Sequence, residues 1–160
     1  MINRPIIAIT LGDPGGIGPE ITAKALDIPE IYECCRPLVI GDAGLMVEAA
    51  RIAKVDLAIR AVKDPEEGIY QYGTIDVLDL GNVDLDKLEY GKVTELGGEA
   101  CFQYIVKGIE LALASKVDAV TTGPIHKEAI NLAGHHYAGH TEIFADYTKT
   151  GDYCMMLLDK

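Results

Sequence analysis

Three short segments carry residue types that could do chemistry. The first is Leu11-Gly12-Asp13-Pro14-Gly15-Gly16-Ile17-Gly18-Pro19-Glu20, where four glycines and two carboxylates follow an apolar run. Glycines at such a junction let the backbone come close to a ligand or to another segment. A strand-to-helix loop is also where open α/β sheets bind ligands. The segment is not a dinucleotide fingerprint, because G-x-G-x-x-G counted from Gly16 and Gly18 would need glycine where Ile21 stands. Nor is it a Walker loop, since no Gly-Lys-Ser/Thr follows. Asp13 and Glu20 would oppose a phosphate there. A structural turn and a ligand loop both remain open.

The second segment, Thr121-Thr122-Gly123-Pro124-Ile125-His126-Lys127, again joins a strand to a helix. Hydroxyls, free backbone N–H groups and one lysine converge at a helix start, a pattern suited to phosphate or carboxylate. A capped turn with a solvated lysine fits the same residues. The third is Gly134-His135-His136-Tyr137-Ala138-Gly139-His140-Thr141-Glu142, which holds three of the chain's four histidines. His136 and His140 have the i, i+4 spacing that on a helix presents two metal ligands on one face. Gly134 and Gly139 bracket the stretch and argue against a regular helix, and H-E-x-x-H is missing. His140 instead precedes a helix that Thr141 can cap and that begins at Glu142. An imidazole in that place can donate to an anionic or hydroxyl-bearing ligand, or be tied to a loop carbonyl.

These segments must be held by the elements between them. Pro5–Leu11, Pro37–Ile40 and Asp118–Thr121 are short apolar runs that read as buried strands. Leu57–Val62 and Ile75–Leu80 read as strands too, and Tyr153–Leu158 as one more. Helices are expected at Pro19–Leu26, Ala43–Lys54, Thr94–Ser115, His126–Leu132 and Glu142–Thr148. Lys63–Gly73, with Pro65 and Gly68, reads as a loop, and the acidic Asn82–Lys92 as an exposed one. Strands alternating with helices imply an α/β fold around a mostly parallel sheet.

Composition narrows the partners. Hydrophobic residues make up 49% of the 160, enough for a sizeable core. A net charge of −11 would repel phosphate backbones and anionic lipids, which sets nucleic acid and membrane surfaces aside while leaving a small anionic substrate open. The first apolar run is too short to span a bilayer and carries no signal-peptide cleavage pattern, so a cytoplasmic protein is expected. Cys34, Cys35, Cys101 and Cys154 have no C-x-x-C spacing and read as buried or idle thiols.

Taken together, the segments resemble one enzyme family. Ile9 through Glu20 resembles the opening signature of the 4-hydroxythreonine-4-phosphate dehydrogenases. Thr122-Gly123-Pro124-Ile125-His126-Lys127, then Ile130-Asn131, Ala133-Gly134 and Gly139-His140-Thr141-Glu142, resembles the second, with order and spacing kept over the whole chain. The resemblance implies an isocitrate/isopropylmalate-dehydrogenase-like fold rather than a Rossmann domain, and a homodimer with its active site in a cleft between two domains. It implies oxidation of a secondary hydroxyl on a small phosphorylated hydroxy acid, 4-phosphohydroxy-L-threonine in pyridoxal phosphate biosynthesis. The cofactors are NAD or NADP and a divalent metal (Zn, Mg, Mn or Co) that polarises the reacting hydroxyl.

Carried over by position, His140 and Thr141 match the family's substrate-binding pair. His126 and Lys127 match the neighbouring motif, and Asp13 the opening loop expected to line the cleft. Family members are roughly twice as long, and their three metal-binding histidines lie beyond the position of Lys160, so the resemblance makes no histidine here a metal ligand. The catalytic acid and base are not assigned. The expected organisation is a first α/β domain over residues 1–125 and a truncated start of a second over 126–160, with apolar surface and sheet edges left exposed. Gly134–His140 is more similar to a branch acting on 4-phospho-D-threonate or 4-phospho-D-erythronate. A different enzyme on the same scaffold, such as a phosphate acyltransferase, and a non-catalytic fragment or binding module are the competing readings.

Overall fold

A computed structural model describes residues 4–159. Five strands form one parallel sheet in the order β3-β4-β2-β1-β5. They are β1 (Ile6–Thr10), β2 (Arg36–Gly41), β3 (Ala58–Val62), β4 (Thr74–Asp79) and β5 (Ala119–Thr122). The helices are α1 (Gly18–Leu26), α2 (Pro29–Cys34), α3 (Ala43–Ala53), α4 (Glu95–Leu113), α5 (Lys127–Leu132) and α6 (His140–Thr148). β1 lies between β2 and β5, with Thr10 beside both Ile40 and Thr122, so the ends of the central strands open onto one edge of the sheet.

Alternation along the strands sorts the helices. Ile9 and Thr121 share a pocket with Ile21 and Leu26 of α1. Their neighbours Thr10 and Val120 lie against Gly108 of α4. Successive strand residues point to opposite faces, so α1 and α4 cover opposite faces of the sheet. α3 packs beside α1, and its start is capped by Asp42, whose Oδ1 accepts from the Leu45 amide at 2.9 Å.

α4 is apolar nearly all round because it is buried on two sides. Ala100, Tyr104 and Leu111 join the core over the sheet. Cys101, Phe102, Ile105 and Ile109 form a second cluster with Ile130 of α5 and Ile143 of α6. Each fully buried isoleucine of that cluster contributes about 2 kcal/mol of transfer free energy, so α5 and α6 are held by α4 rather than by the sheet. Burial pushes the Cys101 thiol and the Tyr104 phenol well above their ordinary ranges.

Several expectations change. Tyr153–Leu158 is not a strand, and no partner edge receives it; Met155, Met156, Leu157 and Leu158 stand exposed, Leu158 at 89%. β5 is no buried strand either, since it pairs with β1 alone and Ala119, Thr121 and Thr122 are exposed. The short helix α2 occupies a stretch given no element from the sequence, with Pro29 at its first turn. Pro65–Glu67 forms a 3-10 turn inside the expected loop. The four cysteines are free, with Cys34 and Cys154 exposed, Cys35 intermediate and Cys101 buried. No helix among the described residues is long and apolar enough to cross a membrane.

α4 and α5 meet backbone to backbone. A Cβ on Gly98 would lie 1.9 Å from the Ala129 carbonyl oxygen. Alanine would raise helix propensity by about 1 kcal/mol, whereas forcing an atom into packed backbone costs about 1–3 kcal/mol or more. Gly98→Ala is therefore expected to lower the urea midpoint. An unchanged or raised midpoint would show that the helices can part without cost.

Candidate anion site at the start of α6

The glycine-rich opening loop turns its glycines onto protein. Gly12 has φ +75°, and a Cβ there would sit 2.2 Å from the Pro124 carbonyl oxygen. One on Gly18 would sit 2.0 Å from the Leu11 carbonyl oxygen, and one on Gly123 2.5 Å from the same atom. Two hydrogen bonds close the joint, from the Asp13 amide to Pro124 O at 3.0 Å and from the Gly123 amide to Thr10 O at 2.7 Å. Asp13 itself is buried at 7% exposure. Its Oδ1 accepts from the Gly15 amide at 2.9 Å and faces Gly97 in the first turn of α4, where the helix dipole favours a negative charge. These glycines do not form an open cradle for a dinucleotide.

The joint delivers the chain to α5. His126 is the residue before that helix; its carbonyl accepts from the Ile130 amide at 3.1 Å and its exposed side chain makes no capping bond. Lys127 opens α5 and turns toward the loop before α6. Its Nζ lies 3.9 Å from the place a Cβ on Gly139 would take. Lys127, His140, Thr141 and Glu142 share the wall of a cavity of about 400 Å³, with Ile125 and Met155 on its apolar side.

Two expectations about this segment are corrected. α6 begins at His140, two residues earlier than expected, and Thr141 is not its cap; Gly139 holds that position and no side chain closes the helix end. The amides of His140, Thr141 and Glu142 therefore lie in the first turn, where a helix has no internal acceptor for them. His136 does not share a helix with His140. It sits in an exposed loop with Nδ1 3.3 Å from Asn131 Oδ1. His135 stacks on Phe102 with ring centroids 3.6 Å apart, and its Nε2 lies 2.7 Å from Glu99 Oε2. That contact holds the Glu99 carboxyl below its ordinary range.

Among the described residues no three His, Cys, Asp or Glu side chains gather as a metal-binding group. The other buried carboxylates serve the fold, Asp76 by accepting from Arg60 at 3.1 Å and from the Tyr70 amide at 2.8 Å. His140 differs. Its Nε2 is buried and has no hydrogen-bond partner, and burial lowers its pKa from the ordinary 6.5. A buried ring nitrogen without a partner is a hydrogen-bonding group that the fold leaves unmatched.

Residues 33–160 match the family described as pyridoxal phosphate biosynthetic protein PdxA. The chain belongs to this family. Over 160 residues, all of this chain and 48% of the relative, it is 51% identical to a Symbiobacterium thermophilum protein named "Putative D-threonate 4-phosphate dehydrogenase". A Clostridium botulinum protein of the same name is 47% identical over 150 residues, which is 94% of this chain and 45% of the relative. The crystal structure of a 4-hydroxythreonine-4-phosphate dehydrogenase from Burkholderia phymatum superposes with a TM-score of 0.90 at 42% identity, covering 93% of this chain and 45% of that one. A Klebsiella pneumoniae protein with the same title gives 0.90 at 37%, covering 98% and 47%. The chain thus spans about half the length of these relatives. The likeness bears out the isocitrate-dehydrogenase-like α/β fold and the resemblance to a dehydrogenase family.

Glu142, Ile125 and Met155 were not singled out as cavity residues from the sequence. Glu142 is adjacent to the His-Thr pair, but Met155 reaches the site only because its segment is not a strand.

With the folded pKa of His140 below 6.5, the native state takes up fewer protons than the unfolded chain as pH falls through that value. The residue is neutral in both states above it and costs stability below it. NMR titration of the His140 ring should give a midpoint below 6.5 in the free protein and a higher one with phosphate present, since a neighbouring anion favours imidazolium. A free-protein midpoint above 6.5 would contradict the buried environment.

Proposed function

We propose that this chain supplies the first half of a nicotinamide-dependent dehydrogenase that oxidises a secondary hydroxyl on a small phosphorylated hydroxy acid. The observation that carries the reading is the cavity at the start of α6, which His140, Thr141 and Lys127 line beside free helix amides. His140 and Thr141 are the substrate-binding residues. The helix start and the histidine hold and orient the ligand, and Ile125 and Met155 keep one side of the space apolar.

The substrate favoured is 4-phospho-D-threonate. The 51% and 47% identical relatives carry that activity in their names. The second reading, 4-phosphohydroxy-L-threonine, is supported by the solved structures titled for it at 42% and 37% identity. In a longer chain NAD or NADP would supply the hydride acceptor and a divalent metal would supply polarisation of the hydroxyl. The described residues do not form a metal site. The division into a first domain over residues 1–125 and the start of a second over 126–160 is part of the same proposal. It is supported by the separate cluster in which α5 and α6 bury Ile130 and Ile143. A cytoplasmic homodimer completes the proposal.

The test follows NADH absorbance in a natural-length chain carrying this sequence, with NAD, manganese and each substrate. Turnover on 4-phospho-D-threonate with kcat/KM about tenfold or more above 4-phosphohydroxy-L-threonine is expected, a preference of about 1.4 kcal/mol. The reverse preference would select the second reading. No NADH from either would sink the dehydrogenase proposal.

A further inference from the structure

The loop between α5 and α6 takes its path from side chains. Gly134 turns it at φ +88° with nothing within 4 Å of where a Cβ would stand, and Gly139 at its far end is extended. The Tyr137 hydroxyl donates to Asp146 at 2.7 Å, which ties the loop to the helix that follows it. His135 ties it to α4. Among the described residues it is the one loop side chain with a hydrogen bond to that helix, Nε2 to Glu99 Oε2 at 2.7 Å, and its ring stacks on Phe102.

Both oxygens of Glu99 are used. Oε1 accepts from Gln103 Nε2 at 2.7 Å, and Gln103 Oε1 in turn accepts from Asn82 Nδ2 at 2.7 Å. A carboxylate only accepts, and hydrogen bonds from His135 and Gln103 hold the Glu99 carboxyl below its ordinary range. Its charge therefore sets the direction of the whole row. Gln103 must present nitrogen to Glu99 and oxygen to Asn82, and His135 must carry a proton on Nε2. A consequence is found at the far end, where Asn82 Oδ1 is buried without a partner. Turned the other way, the Asn82 amide would set oxygen against oxygen. The other charged groups along this surface are Lys107 and Glu110 of α4, which pair with each other at 3.2 Å. From α6 comes the Tyr147 ring, edge-on to Phe102.

We propose that Glu99 and His135 are positioning residues for the α6 turn, joined by a charge-assisted hydrogen bond that fixes where His140 and Thr141 stand. This role rests on the reading of that turn as the substrate site. Phe102 sets the plane of the His135 ring, and Glu99 sets its place along that plane. His140 follows five positions later, directly after the extended Gly139. Burial of the His140 ring then depends on a bond made at the other end of the loop.

NMR of the 160-residue protein tests this without turnover, so its outcome is separable from that of the dehydrogenase assay. The quantities followed are the pH midpoint of the His140 ring and exchange of the Ile143 amide, which bonds Gly139 O at 3.3 Å. Glu99 is half-exposed on α4, where alanine favours the helix. Glu99→Ala should raise the His140 midpoint toward 6.5 and speed Ile143 exchange by about threefold or more. Loss of a carboxylate charge alone would move that midpoint down. His135→Phe, which keeps the ring stack and loses Nε2, should act as Glu99→Ala does, and the double variant should do no more than either. His135→Gln keeps a donor and should stay closer to wild type than His135→Phe. A His140 midpoint unchanged or lowered in Glu99→Ala, or wild-type values in His135→Phe, overturn the role of the bond. Additive effects in the double variant overturn it too. So does equally faster exchange along the β3–β4 pair, which would make both residues general supports of the fold.

Discussion

Two loops meet without room for a side chain between them, and the geometry of the site follows from that contact. Leu11-Gly12 at the end of β1 lies on Gly123-Pro124 at the end of β5, so close that a Cβ on Gly12 or Gly123 would fall within 2.5 Å of backbone oxygen. The Asp13 and Gly123 amides donate across the junction. Backbone hydrogen bonds in a dry interior are costly to leave unmade, and glycine at φ +75° takes a conformation other residues rarely adopt. The result fixes where β5 ends and so where α5 begins.

From that point the construction is a matter of packing. α5 is pressed backbone to backbone on α4 at Gly98 and Ala129. α6 is laid on the same helix through Ile143. Lys127 and His140, thirteen positions apart in the sequence, then face one cavity because both of their helices take their placement from α4. The aromatic stack of Phe102, His135 and Tyr137 braces the connecting loop. The Tyr137 hydroxyl donates to Asp146 at 2.7 Å and so joins that loop to α6.

Much of this was legible in the sequence. Buried strands alternating with amphipathic helices implied a parallel α/β sheet, and all five strands lie where apolar runs and turn residues put them. The His-Thr pair was singled out correctly as lying at a helix start. Local pattern could not say what covers an apolar run. β5 and Tyr153–Leu158 both read as strands buried in a sheet, yet one is an exposed edge and the other has no partner. Hydrophobicity reports a need for burial without naming the surface that meets it. The capping assignment of Thr141 failed for a related reason. A threonine near a helix start suits the cap position, but the extended backbone of Gly139 claimed it. The glycine-rich loop could not be resolved between ligand and packing roles, because only the partner Pro124, far away in sequence, decides which way its glycines face.

The central claim is that the loop junction at Gly12 positions α5 and α6. Amide hydrogen exchange compared between the wild-type chain and Gly12→Ala tests it most directly. The account predicts that the Ile130 and Ile143 amides, which bond to His126 O and Gly139 O, lose protection in the variant while the β3–β4 pair, remote from the junction in the sheet order, keeps more of its own. Unchanged protection at Ile130 and Ile143 would show that α5 and α6 hold their places without the junction, and would contradict the account.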